Sequence, residues 1–288
     1  MDMMKPPAQE WVTRIDKALP KPKISVVIPT LNEARNLPHV FANLPDNLHE
    51  VVVVDGHSVD DSVGVARRLR PDVKIVMQQG NGKGDALASG FAASEGDIIV
   101  MLDADGSTDP AEIPRFVEVL LDGADFAKGS RFLVGGGSDD LTRIRRLGND
   151  VLSRLVNLLF GTGYTDLCYG YNAFWSRCLG HVPVDCNGFE VEAVLSIRAA
   201  KAALVVREVA SFEFSRIHGA SNLHVVRDGW RVLRTILAER LSGTVPRHAR
   251  PPSGRTLPSP NGQADRTGRA ISLSPAPDPA PSTRNLKG

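Results

Sequence analysis

The sequence predicts an α/β fold: a mainly parallel, Rossmann-like sheet flanked by helices. Three observations predict it. Short uninterrupted apolar runs, ISVVIP at 24–29 and DIIVML at 97–102, suit strands covered on both faces. These runs alternate with segments of helical length, the β-α-β-α order of a parallel sheet. Several runs end in polar or acidic clusters, and open sheets of this kind bind ligands beyond the C-terminal ends of their strands.

In chain order, residues 24–29 form the first strand and 33–44 a helix. Residues 50–54 form the second strand, which ends in Asp55-Gly56. A helix over 63–69 is stopped by Pro71, and 73–77 is the third strand. Residues 83–94 read as a helix, 97–102 as the fourth strand, 110–121 as a helix and 126–128 as a strand. The second half is less regular. Residues 147–160 form a helix with a broad apolar face of Leu147, Val151, Leu152, Leu155, Val156 and Leu159. Residues 188–200 are a further helix and 204–214 a strand. The last helix, 223–241, is amphipathic, with Trp230, Leu233 and Leu237 on one side and Arg227, Arg231 and Arg234 nearby. Most of the apolar side chains on these two helices are expected to pack on the core or in a dimer contact. The alternative is a peripheral membrane contact with arginines at the headgroups.

The chain has 288 residues, 42% hydrophobic and 23% charged, the composition of an ordinary folded protein. Its formal net charge of +1 creates no field that would select nucleic acid. Cys168, Cys178 and Cys186 lack metal-like pair spacing and read as reduced, cytosolic thiols. Residues 1–7 carry no apolar leader core, and no window approaches the ~20 apolar residues of a membrane span. A cytoplasmic protein, at most peripheral at the inner face of the membrane, is the expectation. Residues 1–22 read as an N-terminal arm and 23–245 as the folded domain. The Pro-, Ser-, Arg- and Gly-rich stretch 246–288 is expected to be a disordered tail, since it has too few apolar residues to offset chain entropy.

The strand-end rule points to 30–33, 55–58 and 103–105. Asp103-Ala104-Asp105 follows an apolar strand directly, so two carboxylates can meet one hard cation. Mg²⁺ or Mn²⁺ takes oxygen ligands and bridges carboxylates to phosphates. The same residues also make a good solvated turn. Asp55, in Asp55-Gly56-His57-Ser58, reads either as a nucleobase or ribose ligand or as part of a simple turn. Gly80-Asn81-Gly82-Lys83-Gly84 precedes a helix and would bring amides and one ammonium to a phosphate. It is not a P-loop, because Gly84 stands where Ser or Thr is required. Arg216, in Arg216-Ile217-His218-Gly219-Ala220-Ser221, suits a phosphate clamp aided by the Ser221 hydroxyl. Its alternative is a solvated loop arginine, and His218 reads as a proton shuttle or polar surface. Glu190 and Glu192 lie on opposite sides of a strand, or roughly 200° apart on a helix. One of the two is expected to enter the site as base or acceptor anchor, and Glu190 is the candidate. Arg131 either approaches a phosphate or forms an exposed salt bridge.

Taken in order, VVIPTLNEARNL (26–37), VVVDGHSVDDS (52–62), GKGDAL (82–87), MLDADGSTDP (101–110), KGSRF (128–132), TDLCYGYNAF (165–174), GFEVE (188–192) and RIHGASNL (216–223) resemble family 2 glycosyltransferases of the GT-A fold. The likeness is strongest to the dolichol-phosphate and polyprenol-phosphate mannosyl- and glucosyltransferases. It implies an inverting hexosyltransferase that uses a nucleotide-diphosphate sugar, Mg²⁺ or Mn²⁺, and a lipid-phosphate acceptor. By the same resemblance, Pro29, Asn32, Glu33 and Asp55 would hold the nucleoside, with Lys83 and Asp85 near the nucleotide pocket. Asp103, Ala104 and Asp105 would meet the cation and diphosphate. Arg131 would sit near a donor or acceptor phosphate. Asp166 and Gly170 would shape the acceptor side, and Arg216 and Ser221 would hold phosphates on a closing loop. The chain departs from the pattern in three places. It lacks C-terminal membrane spans, it has Ser107 where Gln is common, and it has no QxxRW block, which disfavours processive polymer synthases.

Three other readings compete. A sugar-nucleotide pyrophosphorylase would need a Gly- and Arg-rich loop after the first strand, where this chain has PTLNEARNL. A transferase with a soluble acceptor, such as a glycan, phosphoglycerate or an aglycone, would use Glu190, Glu192 or Asp185 as base. A non-catalytic nucleotide-sugar-binding module would have no need of the Asp103/Asp105 pair or Arg216.

Overall fold

The computed structural model describes residues 21–219 and 224–243. The expected tail, most of the expected arm and Ser221 lie outside the described residues. The strands are β1 Ile24–Thr30, β2 Glu50–Asp55, β3 Lys74–Met77, β4 Ile98–Met101, β5 Phe126–Ser130, β6 Gly137–Ser138, β7 Asn172–Trp175, β8 Val206–Ala210 and β9 Phe212–Glu213. The helices are α1 Leu37–Ala42, α2 Ser62–Leu69, α3 Gly82–Ala93, α4 Ile113–Leu121, α5 Arg143–Phe160, α6 Val191–Lys201 and α7 Val225–Leu241. The main sheet runs β3-β2-β1-β4-β7-β5-β8, and β6 pairs with β9. All pairings are parallel except those of β7 with β4 and β5. The α/β expectation therefore holds, with one reversed strand inside the sheet.

Alternate residues of each strand feed two cores. Val26, Ile28, Val53 and Val100 pack with Leu37 of α1 and with Phe116 and Leu120 of α4. Val27, Val54, Ile99 and Met101 pack with Leu87 and Phe91 of α3 and Leu195 of α6. Both faces are thus covered, which is why these strands are apolar throughout. A third cluster joins Val156 of α5, Ile197 of α6 and Val232 and Ile236 of α7.

Several boundaries differ from expectation. The helix expected over 33–44 begins only at Leu37, because Asn32 takes a positive φ of 58° and turns the chain first. The expected 110–121 helix opens as a 3-10 turn, Pro110–Glu112, before α4. Helix α5 starts four residues earlier than expected, at Arg143, where the Thr142 hydroxyl accepts from Arg145 N. The single strand expected over 204–214 breaks at Ser211, where the chain leaves β5 to pair with β6. The apolar faces of α5 and α7 are only partly absorbed: Leu147, Val151, Trp230 and Leu237 are exposed. Helix α7 instead buries Val232, Ile236, Asp228 and Glu239, and Glu239 is neutralised by Arg198 and Lys201 of α6. No described helix is long and apolar enough to cross a membrane.

Candidate active site

A cavity of about 620 Å³ opens beyond the C-terminal ends of β1, β2 and β4. Its polar end is built from β4 outward. After Leu102 the chain turns, with Gly106 at φ +77° and the Asp105 carboxylate accepting from Ser107 N at 3.0 Å. Asp103, Ala104 and Asp105 thereby reach the wall, and Asp103 and Asp105 keep side-chain exposures of 29% and 18%.

Two cations flank these carboxylates. Lys83 Nζ, in the first turn of α3, lies 2.6 Å from Asp103 Oδ1 and 2.8 Å from Glu192 Oε1. Burial alone would depress this ammonium, but Asp103 and Glu192 hold it above the usual lysine range. Burial pushes the Glu192 carboxyl up, against the opposing pull of Lys83. Arg216 reaches Asp105 at 3.1 Å and Glu33 at 2.8 Å. The loop bearing Arg216 lies along the 103–107 turn, with Phe214 N donating to Ser107 O and Ile217 N to Asp105 O. Glu33 is held in turn by Asn36 Nδ2 at 2.5 Å.

The expected residues separate on this geometry. Pro29, Glu33, Lys83, Asp103, Ala104, Asp105, Arg131, Gly170 and Arg216 line the cavity. Gly170 leaves room there for the ion pair: a Cβ at that position would lie 2.8 Å from Lys83 Nζ and 2.9 Å from Asp103 Oδ2 and would displace them. Asn32 does not line it: its side chain accepts from Val59 N and holds the turn after β1. Asp85 likewise holds a turn, accepting from Gly80 N at 2.8 Å. Asp55 caps Ser58 N through Oδ2 at 3.0 Å, while its buried Oδ1 has no partner among the described residues.

Two expectations need correction. Glu190, the candidate base, is not the glutamate at the wall. It ends the turn before α6, accepting from Gly188 N and from Arg231 at 3.0 Å. Two residues along, Glu192 faces Lys83 instead. Asp185 is also diverted, into a pair with Arg198 at 2.9 Å. Arg131 makes no exposed salt bridge. Its side chain is 3% exposed, with Nε and Nη2 bound to Asp166 at 2.7 and 2.9 Å and Nη1 bound to Glu213 at 3.0 Å. The guanidinium also stacks over Tyr169, 4.9 Å from the ring centre. With its donors so engaged, Arg131 braces the 166–170 segment. Glu213 and Tyr169, which sequence reasoning missed, complete this brace. Helices α5 and α7 also line the cavity, with the apolar Ile144, Leu152, Val225 and Val232 beside the polar Arg145, Asn149 and Asp228.

The described residues contain no group of three His, Cys, Asp or Glu placed to hold a metal. Asp103 and Asp105 offer two hard oxygen donors, which fits a Mg²⁺ or Mn²⁺ ion that completes its shell with phosphate oxygens and water.

A family model described as glycosyl transferase family 2 matches residues 25–180, a span that runs from Ser25 in β1 to beyond β7. The chain belongs to glycosyl transferase family 2. Among family relatives, it is 31% identical over 217 residues to polyprenol monophosphomannose synthase of Mycolicibacterium smegmatis, covering 71% of this chain and 82% of that one. It is 28% identical to glycosyltransferase AglJ of Haloferax volcanii, covering 72% of this chain and 68% of that one. The crystal structure of Mycobacterium tuberculosis glucosyl-3-phosphoglycerate synthase aligns with a TM-score of 0.61 and 26% identity, over 76% and 80% of the two chains. The same synthase in complex with Mn²⁺, UDP-glucose and phosphoglyceric acid aligns at 24% identity and TM-score 0.62, over 83% and 86%. These likenesses agree with the GT-A fold.

Proposed function

We propose that this family 2 enzyme transfers a hexose from a nucleotide-diphosphate sugar, of the GDP-mannose or UDP-glucose type, to polyprenyl phosphate at a membrane surface. One observation carries the reading: a cavity in which Asp103, Asp105, Lys83 and Arg216 gather, and to which α5 and α7 contribute the apolar Ile144, Leu152, Val225 and Val232. The charged cluster suits a diphosphate and these apolar side chains an isoprenoid chain. The exposed Leu147, Val151 and Trp230 suit a lipid surface, with arginines beside them.

A divalent cation held by Asp103 and Asp105 would stabilise the negative charge that builds as the nucleoside diphosphate departs. Lys83 and Arg216 already stand against these carboxylates and are placed to turn to the phosphates. An acceptor phosphate is itself an anionic nucleophile and requires no base, in keeping with Glu192 being neutralised by Lys83. Attack opposite the leaving diphosphate inverts the anomeric carbon. Asn32 and Asp55 contribute through the turns that frame the nucleoside, and the Ser221 hydroxyl, outside the described residues, by binding a phosphate.

The second reading, a soluble phosphorylated acceptor, draws on the glucosyl-3-phosphoglycerate synthase structure that holds phosphoglyceric acid. Incubation with radiolabelled GDP-mannose or UDP-glucose, Mn²⁺, and either polyprenyl phosphate or phosphoglycerate separates the two. Label in the organic phase is expected; label confined to the aqueous phase overturns the lipid assignment.

A further inference from the structure

Helix α7 is amphipathic on two sides. Its inner side packs Val232 and Ile236 into the third cluster. On the outer side Val226, Trp230, Leu237 and Leu241 are all exposed, Val226 and Leu241 at 86% and 87%. At 3.6 residues per turn these four fall within about 60° of one another, a continuous apolar stripe that the core does not use. The charges are sorted in the same way. Both acids of α7, Asp228 and Glu239, are buried, while Arg227, Arg234 and Arg240 are exposed and Arg231 is partly so. Helical spacing sets Arg227, Arg231 and Arg234 along one flank of the stripe and Arg240 on the other. Helix α5 repeats the pattern. Ile144, Leu147, Val151 and Leu158 are exposed along one stripe, with Arg143, Arg146 and Arg154 to one side. The one acid of α5, Asp150, is paired with Arg154 at 3.1 Å. In a chain whose formal net charge is +1, the outward sides of these two helices are thus strongly cationic. The cavity reaches this surface, because Ile144 of the α5 stripe also lines it.

We propose that the outward sides of α5 and α7 dock on a bilayer that carries anionic phospholipid, and that these lipids recruit the chain independently of its acceptor. The proposal deepens the lipid-acceptor reading above, on which it rests for its purpose, by naming the lipid class that the surface selects. An apolar stripe enters the boundary between headgroups and acyl chains, and flanking arginines meet the phosphates. Each half of the pattern disfavours another occupant. A second copy meeting through the same surface would set arginine against arginine, with Asp150 alone to answer them. A soluble polyanion would satisfy the arginines and leave Trp230 and its apolar neighbours in water. Docking in this way brings the cavity edge at Ile144 to the bilayer, so that an isoprenoid phosphate enters without crossing water.

Flotation of the full chain with vesicles of phosphatidylcholine, with or without phosphatidylglycerol and free of polyprenyl phosphate, tests this. Binding to the mixed vesicles is expected to be at least about tenfold tighter than to phosphatidylcholine alone, and to weaken as salt is raised. Arg234→Ser and Arg240→Ser should each weaken it about fivefold, and Trp230→Ser should weaken it on the apolar side. Arg231 is left intact because it holds Glu190. All three variants should transfer hexose to detergent-dispersed polyprenyl phosphate at the wild-type rate, since none of these side chains lines the cavity. Equal binding to the two vesicle types, or binding that survives the arginine substitutions, overturns the anionic-lipid assignment. Binding unchanged by Trp230→Ser reduces the contact to charge alone, as for a soluble polyanion, and overturns docking by insertion. A dimer in sedimentation that Trp230→Ser dissolves gives the surface to a second copy and overturns it too. If the chain ignores both vesicles yet labels detergent-dispersed polyprenyl phosphate, the docking falls and the transferase reading stands. If it binds the mixed vesicles but labels only phosphoglycerate, the lipid acceptor falls and the docking stands.

Discussion

Lys83 holds two carboxylates from distant parts of the chain, and that makes it the residue whose loss should be felt most widely. Lys83→Met leaves Asp103 and the buried Glu192 without their cation. Breaking a buried pair in this way costs about 3–5 kcal/mol. The loss should depend on pH. Burial already raises the Glu192 carboxyl above 4.5, and without Lys83 it rises further. A carboxyl raised in the folded state favours folding in acid, and that benefit is lost as pH climbs through the folded value. The variant's melting temperature is therefore expected to approach wild type near pH 5 and to fall well below it at pH 8. Asp105→Ala should behave differently. The side chain is partly exposed and its partner Arg216 keeps Glu33, so thermal stability should change little while transfer falls by about 10²-fold or more. Undiminished turnover would remove the metal role. Asp103 and Asp105 were legible in the sequence because they follow an apolar strand immediately. The choice between Glu190 and Glu192 was not legible, since it depends on which side of α6 meets Lys83.

At the scale of elements, the glycines around Lys83 are explained by packing. Gly82 has φ +86° and lies so close to the 186–188 segment that an added Cβ would meet Asn187 O at 2.0 Å. A Cβ on Gly84 would lie 2.2 Å from Cys186 O, and Gly84 N donates to Asn187 O at 3.1 Å. The motif that reads as a phosphate loop thus docks the start of α3 against backbone, and Lys83 is aimed by that docking. Gly84→Ala is expected to destabilise the fold by about 1–3 kcal/mol and to raise the donor KM more than it lowers kcat, measured by chemical denaturation and initial rates. The strands of the first half were legible because burial on both faces makes them continuous apolar runs. Strand β7 was not. Its four residues, NAFW, carry no periodic signal, and their place in the sheet is set by pairing with β4 and β5.

For the molecule as a whole, the sequence separated a folded region from a stretch at 246–288 whose composition supplies little to bury. Deleting 246–288 is expected to leave the rate of transfer within about twofold of the full chain; a large loss would assign that stretch a docking role. The alternation of strand and helix was enough to predict the sheet and the edge at which ligands gather. It could not predict that residues from both halves of the chain close the same cavity, because the turn at Asp103, Lys83 of α3 and Glu192 of α6 meet only through tertiary packing. The reversed strand has a consequence for biosynthesis. β5 leaves the ribosome before β7, yet β7 separates it from β4 in the finished sheet. The first four strands can zip together as they are made, while β5 waits as an orphan edge until residues 172–175 thread in beside it. A direct β4–β5 pairing would close the sheet without residues 172–175 and leave Asp103 without the Gly170 wall.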